Sequence, residues 1–480
     1  MRTRSRTLTR RVLSAALSSG LALLTLGGLA AIGAQVTSSE ATTAPPRHLT
    51  RRAVVNRPSS SGPLVVAVAL GASGTVVSDA LAPYEVFASS PQFSVYTVAA
   101  TGGPAATQGG PTITPTYTFA DISSGHAPHP DVVVVPAVAS PDGPQEAELR
   151  SWVLDQAGGG ARVLGVCNGA AVLAAAGLLD GRHATSHWSR LGALRKQHPR
   201  VDWVGGQRFV RDGLITTTAG VTSGIPGALS VMADLAGPGE ATRVGRLVGY
   251  PGWSLTGPSV IPSPSWAVGD LPVGLNALIP WGRPTLGIAL ADGVGEIDLA
   301  SSFEVFDVSY AARPIALSSS GTVLTTHGMV LHTSRPGDRP TPNRLAVPGA
   351  GGTADLDPIL RVWASRNDIP VDSIHGPGGS PGFDGALEYL AAHAGTATAV
   401  SAAKMIDYPI ARLRLDGRAG LRIPLLLGLG LALAVLAASM PPLIRRALEL
   451  SSGRRGSSRR HVRRIAFSSE NELRGNPDWQ

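Results

Sequence analysis

One side chain in this sequence is the strongest candidate for a nucleophile. Cys167 is the only cysteine among the 480 residues. It follows the apolar run ARVLGV (161–166) and precedes Asn-Gly and an alanine-rich stretch that indicates a helix. A sharp strand-to-helix turn would project the sulfur from the carboxyl edge of a sheet, where open α/β sheets bind ligands. The helix N-terminus predicts a lowered thiol pKa and amide groups for an oxyanion. The sequence also leaves open that Cys167 is an inert, buried thiol.

The elements that must position this turn alternate between apolar strands and helices. This alternation predicts an α/β fold with mostly parallel, doubly wound sheets and helices on both faces. The pattern occurs twice, which predicts two domains, 63–252 and 284–410, joined by a Pro-rich linker at 253–283. The matched pairs of segments are 64–87 with 285–306, 131–157 with 343–369, and 223–251 with 382–409.

The two copies differ around the cysteine. Where the first copy continues from 158 to 222, the second has only the short stretch 370–381. We therefore predict that the second copy is degenerate and lacks the cysteine, its strand and its helix. The second copy can then be at most a partner to a reactive centre in the first.

Two apolar segments flank the predicted domains. Residues 12–35 follow an Arg-rich start, and they fit either a cleavable signal peptide with a site near Ala34 or an uncleaved signal anchor, with 36–62 as a linker. Residues 421–444 predict a transmembrane helix, because Arg445, Arg446 and a basic tail (445–480) follow directly. The positive-inside rule puts both basic ends in the cytoplasm and 36–420 outside the membrane.

Charge and cysteine count exclude some functions. The net charge is +8, but five arginines lie in 1–11, and nine arginines against four acids lie in 443–480. The folded part is therefore close to neutral, which argues against nucleic-acid binding. A single cysteine excludes an intrachain disulfide. No phosphate loop or metal-ligand cluster is evident, so we predict neither a cofactor nor a metal.

Several motifs resemble one family. The string VCNGAAVLAAAGLLDGRHATSHW (166–188) is similar to the DJ-1/PfpI superfamily of the class I glutamine-amidotransferase-like fold, above all to isocyanide hydratases and the N-terminal domains of AraC-type regulators. SDALAPYEVF (78–87) and RDGLITTTAGVTSGIPGAL (211–229) fit the same pattern. The resemblance covers 63–252 and is partial over 284–410. It implies flavodoxin-like, amidotransferase-like domains.

The resemblance also implies roles for individual residues. Cys167 matches the family nucleophile, and Asp79 matches the acid that handles the proton in isocyanide hydratases. Glu85 is either a carboxyl close to the thiol or a helix-surface acid, and His187 is either a base or a structural residue. The expected oxyanion and pocket residues are Asn168, Gly169, Thr218 and Gly220. Asn168 stands where a histidine would be needed for an adjacent Cys-His pair, which disfavours protease activity.

Three functions remain open from the sequence. The first is a membrane-anchored hydrolase or lyase that uses Cys167 on a small electrophile such as an isocyanide, an aldehyde or an amide. The second is a non-catalytic ligand-binding or sensor module. The third is an oxidative-stress sensor based on the thiol. The expected partners are a small molecule, the membrane, and either the second copy in an intramolecular pseudo-dimer or a second chain in a homodimer.

Overall fold

The computed structural model describes residues 2–40, 42–43, 62–262, 264–375, 382–440 and 443. Its contacts divide the chain into two units. One is Ala34–Gly420, and the other holds the described parts of Met1–Gly33 and Leu421–Gln480. The basic tail expected at 445–480 lies outside the described residues.

Helices dominate the two ends of the chain. Helix α1 (Arg2–Glu40) continues into the short strand β1 (Thr42–Thr43), and a C-terminal helix covers 422–440. Ser18–Ser38 and Arg422–Met440 are long and apolar enough to cross a membrane, a criterion that a signal sequence also meets. These helices coincide with the two apolar segments of the sequence.

Residues 62–252, called the first region here, contain a seven-stranded sheet in the order β12-β13-β9-β8-β2-β4-β7. All neighbouring pairs are parallel except β12 with β13. The strands of the region are β2 (Leu64–Ala69), β3 (Thr75–Val76), β4 (Phe93–Ala99), β5 (Thr107–Gln108), β6 (Thr112–Thr114), β7 (Tyr117–Thr118), β8 (Val132–Val135), β9 (Arg162–Gly165), β10 (His183–Ala184), β11 (Asp202–Trp203), β12 (Phe209–Asp212) and β13 (Ile215–Thr218).

Alternation along the central strand explains why helices cover both faces of this sheet. In β2, Val66 and Val68 belong to one buried cluster, whereas Val65, Ala67 and Ala69 belong to another. The first cluster includes residues of α2 and α7, and the second includes residues of α4 and α5. The helices of the region are α2 (Val77–Ala88), α3 (Phe119–Ser123), α4 (Ala147–Gly158), α5 (Gly169–Ala175), α6 (Leu191–Gln197), α7 (Gly224–Ala236) and α8 (Pro238–Val248). The predicted α/β fold with a parallel sheet is confirmed.

Residues 284–410, called the second region, form a smaller parallel sheet in the order β15-β14-β18-β19. The strands of the second region, inside and outside this sheet, are β14 (Thr285–Ala289), β15 (Arg313–Leu317), β16 (Thr322–Leu324), β17 (Val330–His332), β18 (Arg344–Val347) and β19 (Val371–Ser373). Its helices are α10 (Glu296–Ser309), α11 (Pro358–Arg366), α12 (Gly382–Ala394) and α13 (Thr396–Met405), and they follow helix α9 (Leu271–Leu278).

Strand β19 corrects one sequence prediction. We expected the short stretch 370–381 to lack the strand that leads to the cysteine in the first region. The structure instead pairs β19 with β18 in parallel, from Val371 to Ser373. That prediction was wrong because three residues are enough to extend a sheet when the neighbouring strand already presents its edge.

The expected linkers also carry structure. The stretch 253–283 contains the 3₁₀ turn Val268–Asp270 and helix α9. Between 36 and 62, Thr37 is buried and donates a hydrogen bond to the Ala277 carbonyl at 2.7 Å. Strand β1 pairs with β5. Part of each linker is therefore docked on the folded unit.

The two regions meet through a strand pair, an aromatic contact and a helix pair. In the antiparallel pair β6–β17, Ile113 faces Leu331, with both side chains fully buried. The Tyr250 and Tyr408 rings of the matched strings VGYP and IDYP meet edge to face at 5.9 Å. Helix α2 packs against α10. Across this helix pair, Ser78 donates to the Glu304 carboxylate, and the Ile297 amide donates to Glu85 Oε2 at 2.6 Å.

Burial of the carboxyl group of Glu304 predicts a pH-dependent stability. Burial, and then the neighbouring Asp307, raise the pKa of Glu304 to about 8, compared with about 4.3 in an unfolded chain. Because the folded state holds this proton more tightly, its stabilising effect is complete at low pH and is lost as the pH rises through 8. We expect the melting temperature in detergent to fall by several degrees between pH 6 and pH 9.

The matched variants are Glu304→Gln, which keeps an acceptor for Ser78 without a titrating group, and Glu148→Gln on the exposed face of α4. The pH-induced fall in melting temperature should shrink for Glu304→Gln and stay unchanged for Glu148→Gln. An equal fall in all three proteins would contradict the assignment.

Candidate active site

A tight turn places Cys167 at the carboxyl end of β9. Its φ is +54°, in the left-handed region, and α5 begins two residues later at Gly169. A Cβ built on Gly169 would lie 2.0 Å from the Val135 carbonyl oxygen. Only glycine therefore lets α5 start this close to the end of β8. The predicted strand-to-helix turn is present, and its geometry depends on Gly169.

Hydrogen bonds hold the backbone of Cys167 on both sides. Its amide donates to Thr218 Oγ1 on β13 at 3.1 Å, and its carbonyl accepts from the Ser186 hydroxyl at 3.1 Å. A non-glycine residue in the left-handed region costs roughly 1–3 kcal/mol and persists only when its surroundings enforce it. Thr218 was expected at the site, whereas Ser186 was not identified from the sequence. Its position beside His187 in the string ATSHW was the available signal.

The thiol of Cys167 is buried, with 7% of the residue exposed. Burial raises the pKa of the thiol well above its ordinary value, and the neighbouring Asp79 carboxyl raises it further. The Asn168 backbone amide donates to the sulfur and acts in the opposite direction. The predicted lowered pKa was wrong, because removal from water outweighs the positive end of the seven-residue helix α5.

Asp79 supplies a proton-bearing carboxyl beside this thiol. The residue is fully buried at the start of α2, and its Oδ2 accepts from the Ala137 amide at 3.1 Å. Its Oδ1 is buried and has no hydrogen-bond partner among the described residues. Burial, and then Glu304, raise the pKa of Asp79 well above its usual range. These shifts favour the protonated form of Asp79, and Oδ1 is the oxygen that has no partner among the described residues.

Glu304 enters this site from the second region. It hydrogen-bonds Ser78, next to Asp79, and its charge raises the pKa of both Asp79 and Cys167. Glu85 occupies the matching position in the first region, but its carboxylate accepts from Ile297 and faces charged groups of the second region. Burial, and then Glu296, raise the pKa of Glu85 to about 7. The carboxyl that joins Asp79 is thus Glu304, and the repeated Glu-Val-Phe string was its only sequence signal.

The remaining expected residues serve the contact between the regions. His187 donates from Nε2 to the Met405 carbonyl at 2.7 Å, and its Nδ1 is 2.8 Å from the Ser189 hydroxyl. Burial lowers the pKa of this imidazole. Both ring nitrogens are therefore already occupied. A Cβ on Gly220 would lie 2.5 Å from Cβ of Asp407, so this glycine permits close approach of the second region.

The arrangement combines a nucleophilic atom with a proton donor. Cys167 offers the sulfur, Asp79 offers the proton, and the Asn168 amide can stabilise negative charge at the sulfur. Within the described part of the chain, no group of three or more His, Cys, Asp or Glu is arranged to hold a metal ion. The chemistry that these residues support is addition of a thiol to an electrophile, coupled to a proton transfer.

Comparison with known proteins places this region in a family. A profile of the DJ-1/PfpI family matches residues 65–234. Isonitrile hydratase from Pseudomonas putida is 36% identical over 174 residues, which span 35% of this chain and 70% of that protein. The HTH-type transcriptional regulator CdhR from Pseudomonas aeruginosa is 31% identical over 149 residues, which span 31% of this chain and 43% of the regulator.

A solved structure is also similar to part of this chain. A ThiJ/PfpI family protein from Pseudomonas syringae is 30% identical, and the match covers 40% of this chain and 77% of that protein with a TM-score of 0.35. The family profile matches the segment that carries most of β2, Asp79 and the turn at Cys167. The chain belongs to the DJ-1/PfpI family.

Proposed function

We propose that the first region adds water to a small electrophile of the isonitrile class, with Cys167 as nucleophile and Asp79 as proton donor. The observation that carries this proposal is the fully buried Asp79, whose Oδ1 has no partner among the described residues, next to a thiol held in a left-handed turn. The identity to isonitrile hydratase over 70% of its length supports the same chemistry.

The reaction balances with water as the only co-reactant. Asp79 gives its proton to the terminal carbon of the isonitrile while the thiol of Cys167 adds to that carbon and returns its proton to Asp79. The S–H bond breaks, and one S–C and one C–H bond form, giving a thioformimidate. Water then adds to the C=N bond. Collapse of the adduct breaks the S–C bond, releases an N-substituted formamide and restores the thiol.

This mechanism suits a site that retains its protons. A pre-formed thiolate is disfavoured because burial raises the pKa of Cys167, and the neighbouring Asp79 adds to the effect. Addition to an isonitrile requires a proton at carbon in the same step as the S–C bond. A protonated carboxyl and a protonated thiol are therefore the starting states that the chemistry needs.

A second candidate is a ligand-binding module that turns nothing over. It is favoured by the small exposed fraction of Cys167, 7%, and by the match to an HTH-type regulator. An oxidative sensor fits less well, because oxidation follows thiolate character and exposure. The raised thiol pKa opposes thiolate formation at Cys167, and the burial of this residue opposes its exposure to an oxidant.

We also propose that the second region is a reduced copy of the first and forms an intramolecular pseudo-dimer with it. The register supports this, since Ser373 pairs with Val347 as Gly165 pairs with Val135. His375 then stands where Cys167 stands in the first region. Its Nδ1 accepts from the Gly349 amide at 2.7 Å, and its Nε2 is 2.9 Å from the Gly382 carbonyl. With both nitrogens occupied, His375 has a structural role.

The two apolar stretches support a membrane-anchored protein with its folded unit outside the cytoplasm. Ser18–Ser38 and Arg422–Met440 have the length of spans, and arginines lie beyond them at both ends of the chain. Protease added to intact cells should reach the exposed residues 254–258 in this topology.

Turnover of a panel of alkyl and aryl isonitriles tests the proposed reaction. The wild-type protein should form formamides, detected by proton NMR, and should lose activity as rising pH deprotonates Asp79. Cys167→Ser and Asp79→Asn should each lose at least about 100-fold in rate, because one removes the nucleophile and the other the transferable proton.

Glu148→Gln, at an exposed carboxyl on α4, is the matched control and should retain full rate. Turnover that survives in Asp79→Asn would contradict the proton-donor role. Saturable binding of isonitriles by thermal shift, without formamide in any variant, would select the ligand-binding module instead.

Alkylation by iodoacetamide tests the state of the thiol. Cys167 should react more slowly at pH 8 than an exposed cysteine, since it is buried and its thiol pKa is raised. The comparison protein carries Cys167→Ser with Leu247→Cys, at a residue that is 65% exposed on α8. Faster labelling of Cys167 than of this control would contradict a buried, protonated thiol and would support the oxidative-sensor hypothesis.

A further inference from the structure

We propose that an apolar surface, formed by Trp266, Val268, Leu271, Leu278 and Trp281 and called the apolar rim here, rests in the interface of a lipid bilayer. This inference rests on the proposed membrane anchoring. All five side chains are exposed large hydrophobics, from 39% for Leu278 to 82% for Val268.

Helix α9 in this rim exposes an apolar side. Leu271, Leu275 and Leu278 recur at helical spacing on the side that is exposed or half-buried. The buried side carries Val273 and Asn276, and the Asn276 side-chain amide donates to the Ser309 carbonyl at 3.2 Å. A leucine stripe that faces outward is stable where the surroundings are apolar.

The segment also lacks charge. Asp270 is the only charged residue in the sequence from 253 to 282, although charged residues make up 15% of the chain. Asp270 is neutralised by an ion pair with Lys404 on α13. Trp266 and Trp281 supply the amphipathic rings that concentrate at membrane–water interfaces. A bare apolar segment with two tryptophans fits a headgroup layer better than it fits water.

The rim contacts the end of the first candidate span directly, and helix α13 links it to a segment that precedes the second span. Thr37, the residue before the end of Ser18–Ser38, donates to the Ala277 carbonyl on α9 at 2.7 Å. On the other side, Ser401 of α13 donates to the Gly269 carbonyl at 3.1 Å. The first residue of α13, Thr396, donates to the Leu415 carbonyl at 2.6 Å, seven residues before the span that begins at Arg422.

These two connections restrict where the rim can be. If both spans enter the bilayer, each point of entry lies a few residues from an element that contacts the rim. The membrane surface is therefore the partner that chain connectivity brings to it. Burial of the rim would add apolar area to the anchoring.

The single native cysteine makes a clean test possible. In full-length protein with Cys167→Ser, Val268→Cys is labelled with the fluorophore NBD and reconstituted into phosphatidylcholine vesicles that contain nitroxide lipids. Two further proteins carry the label at Ile359→Cys, at a residue that is 64% exposed on α11, and at Leu431→Cys within the second span. We expect quenching by the nitroxide lipids at 268 and 431, several-fold greater than at 359.

The three labelled positions distinguish a failure of the apolar rim from a failure of the membrane anchoring. Quenching at 431 with equal, weak quenching at 268 and 359 would overturn the apolar rim and leave the anchoring intact. Absence of quenching at 431 would overturn the anchoring and the rim with it. A label at 268 that is shielded from water but is not quenched by lipid would assign the rim to a protein contact, such as a second copy, and would overturn the lipid proposal.

Discussion

The packing of helix α2 against helix α10 puts carboxyl groups where water cannot reach them. Glu304 of one helix lies beside Ser78 and Asp79 of the other, and all three are buried. An isolated buried carboxylate is costly, so such groups take up protons and their pKa values rise. The protonation of Asp79, on which the chemistry at Cys167 depends, is therefore set partly by a residue of the second region. The candidate active site needs both regions, although its nucleophile and proton donor belong to one.

The second region has no cysteine at the strand end that we propose as the counterpart of the turn at Cys167. Its strand β19 continues the sheet and ends near His375, whose ring is fixed by Gly349 and Gly382. Both ring nitrogens at this strand end therefore have hydrogen-bond partners. In the first region, Asp79 keeps an unpartnered oxygen and Cys167 keeps a left-handed backbone. Unsatisfied and strained groups of this kind cost stability, and they are informative because they lie together at one strand end.

Hydrogen bonds to Cys167 show how the fold carries that strain. Thr218 holds the amide and Ser186 holds the carbonyl, so the residue is fixed by strand β13 and by the chain that follows β10. Gly169 allows α5 to begin against the end of β8. The thiol is thus placed by backbone contacts with three different elements.

The order of strands and helices, the turn at Cys167 and the two apolar ends follow from the sequence, because periodicity, apolar runs and glycine positions are local properties. The strings around Cys167 and Asp79 also determined the family. The carboxyl group that lies beside Asp79 did not follow from the sequence. Glu85 was the candidate that the sequence offered. In the tertiary structure Glu85 instead accepts from Ile297, and Glu304 lies beside Asp79. The thiol pKa was mispredicted for the same reason. Burial and the approach of charges from another region arise from how distant segments pack, and no local pattern along the chain encodes them.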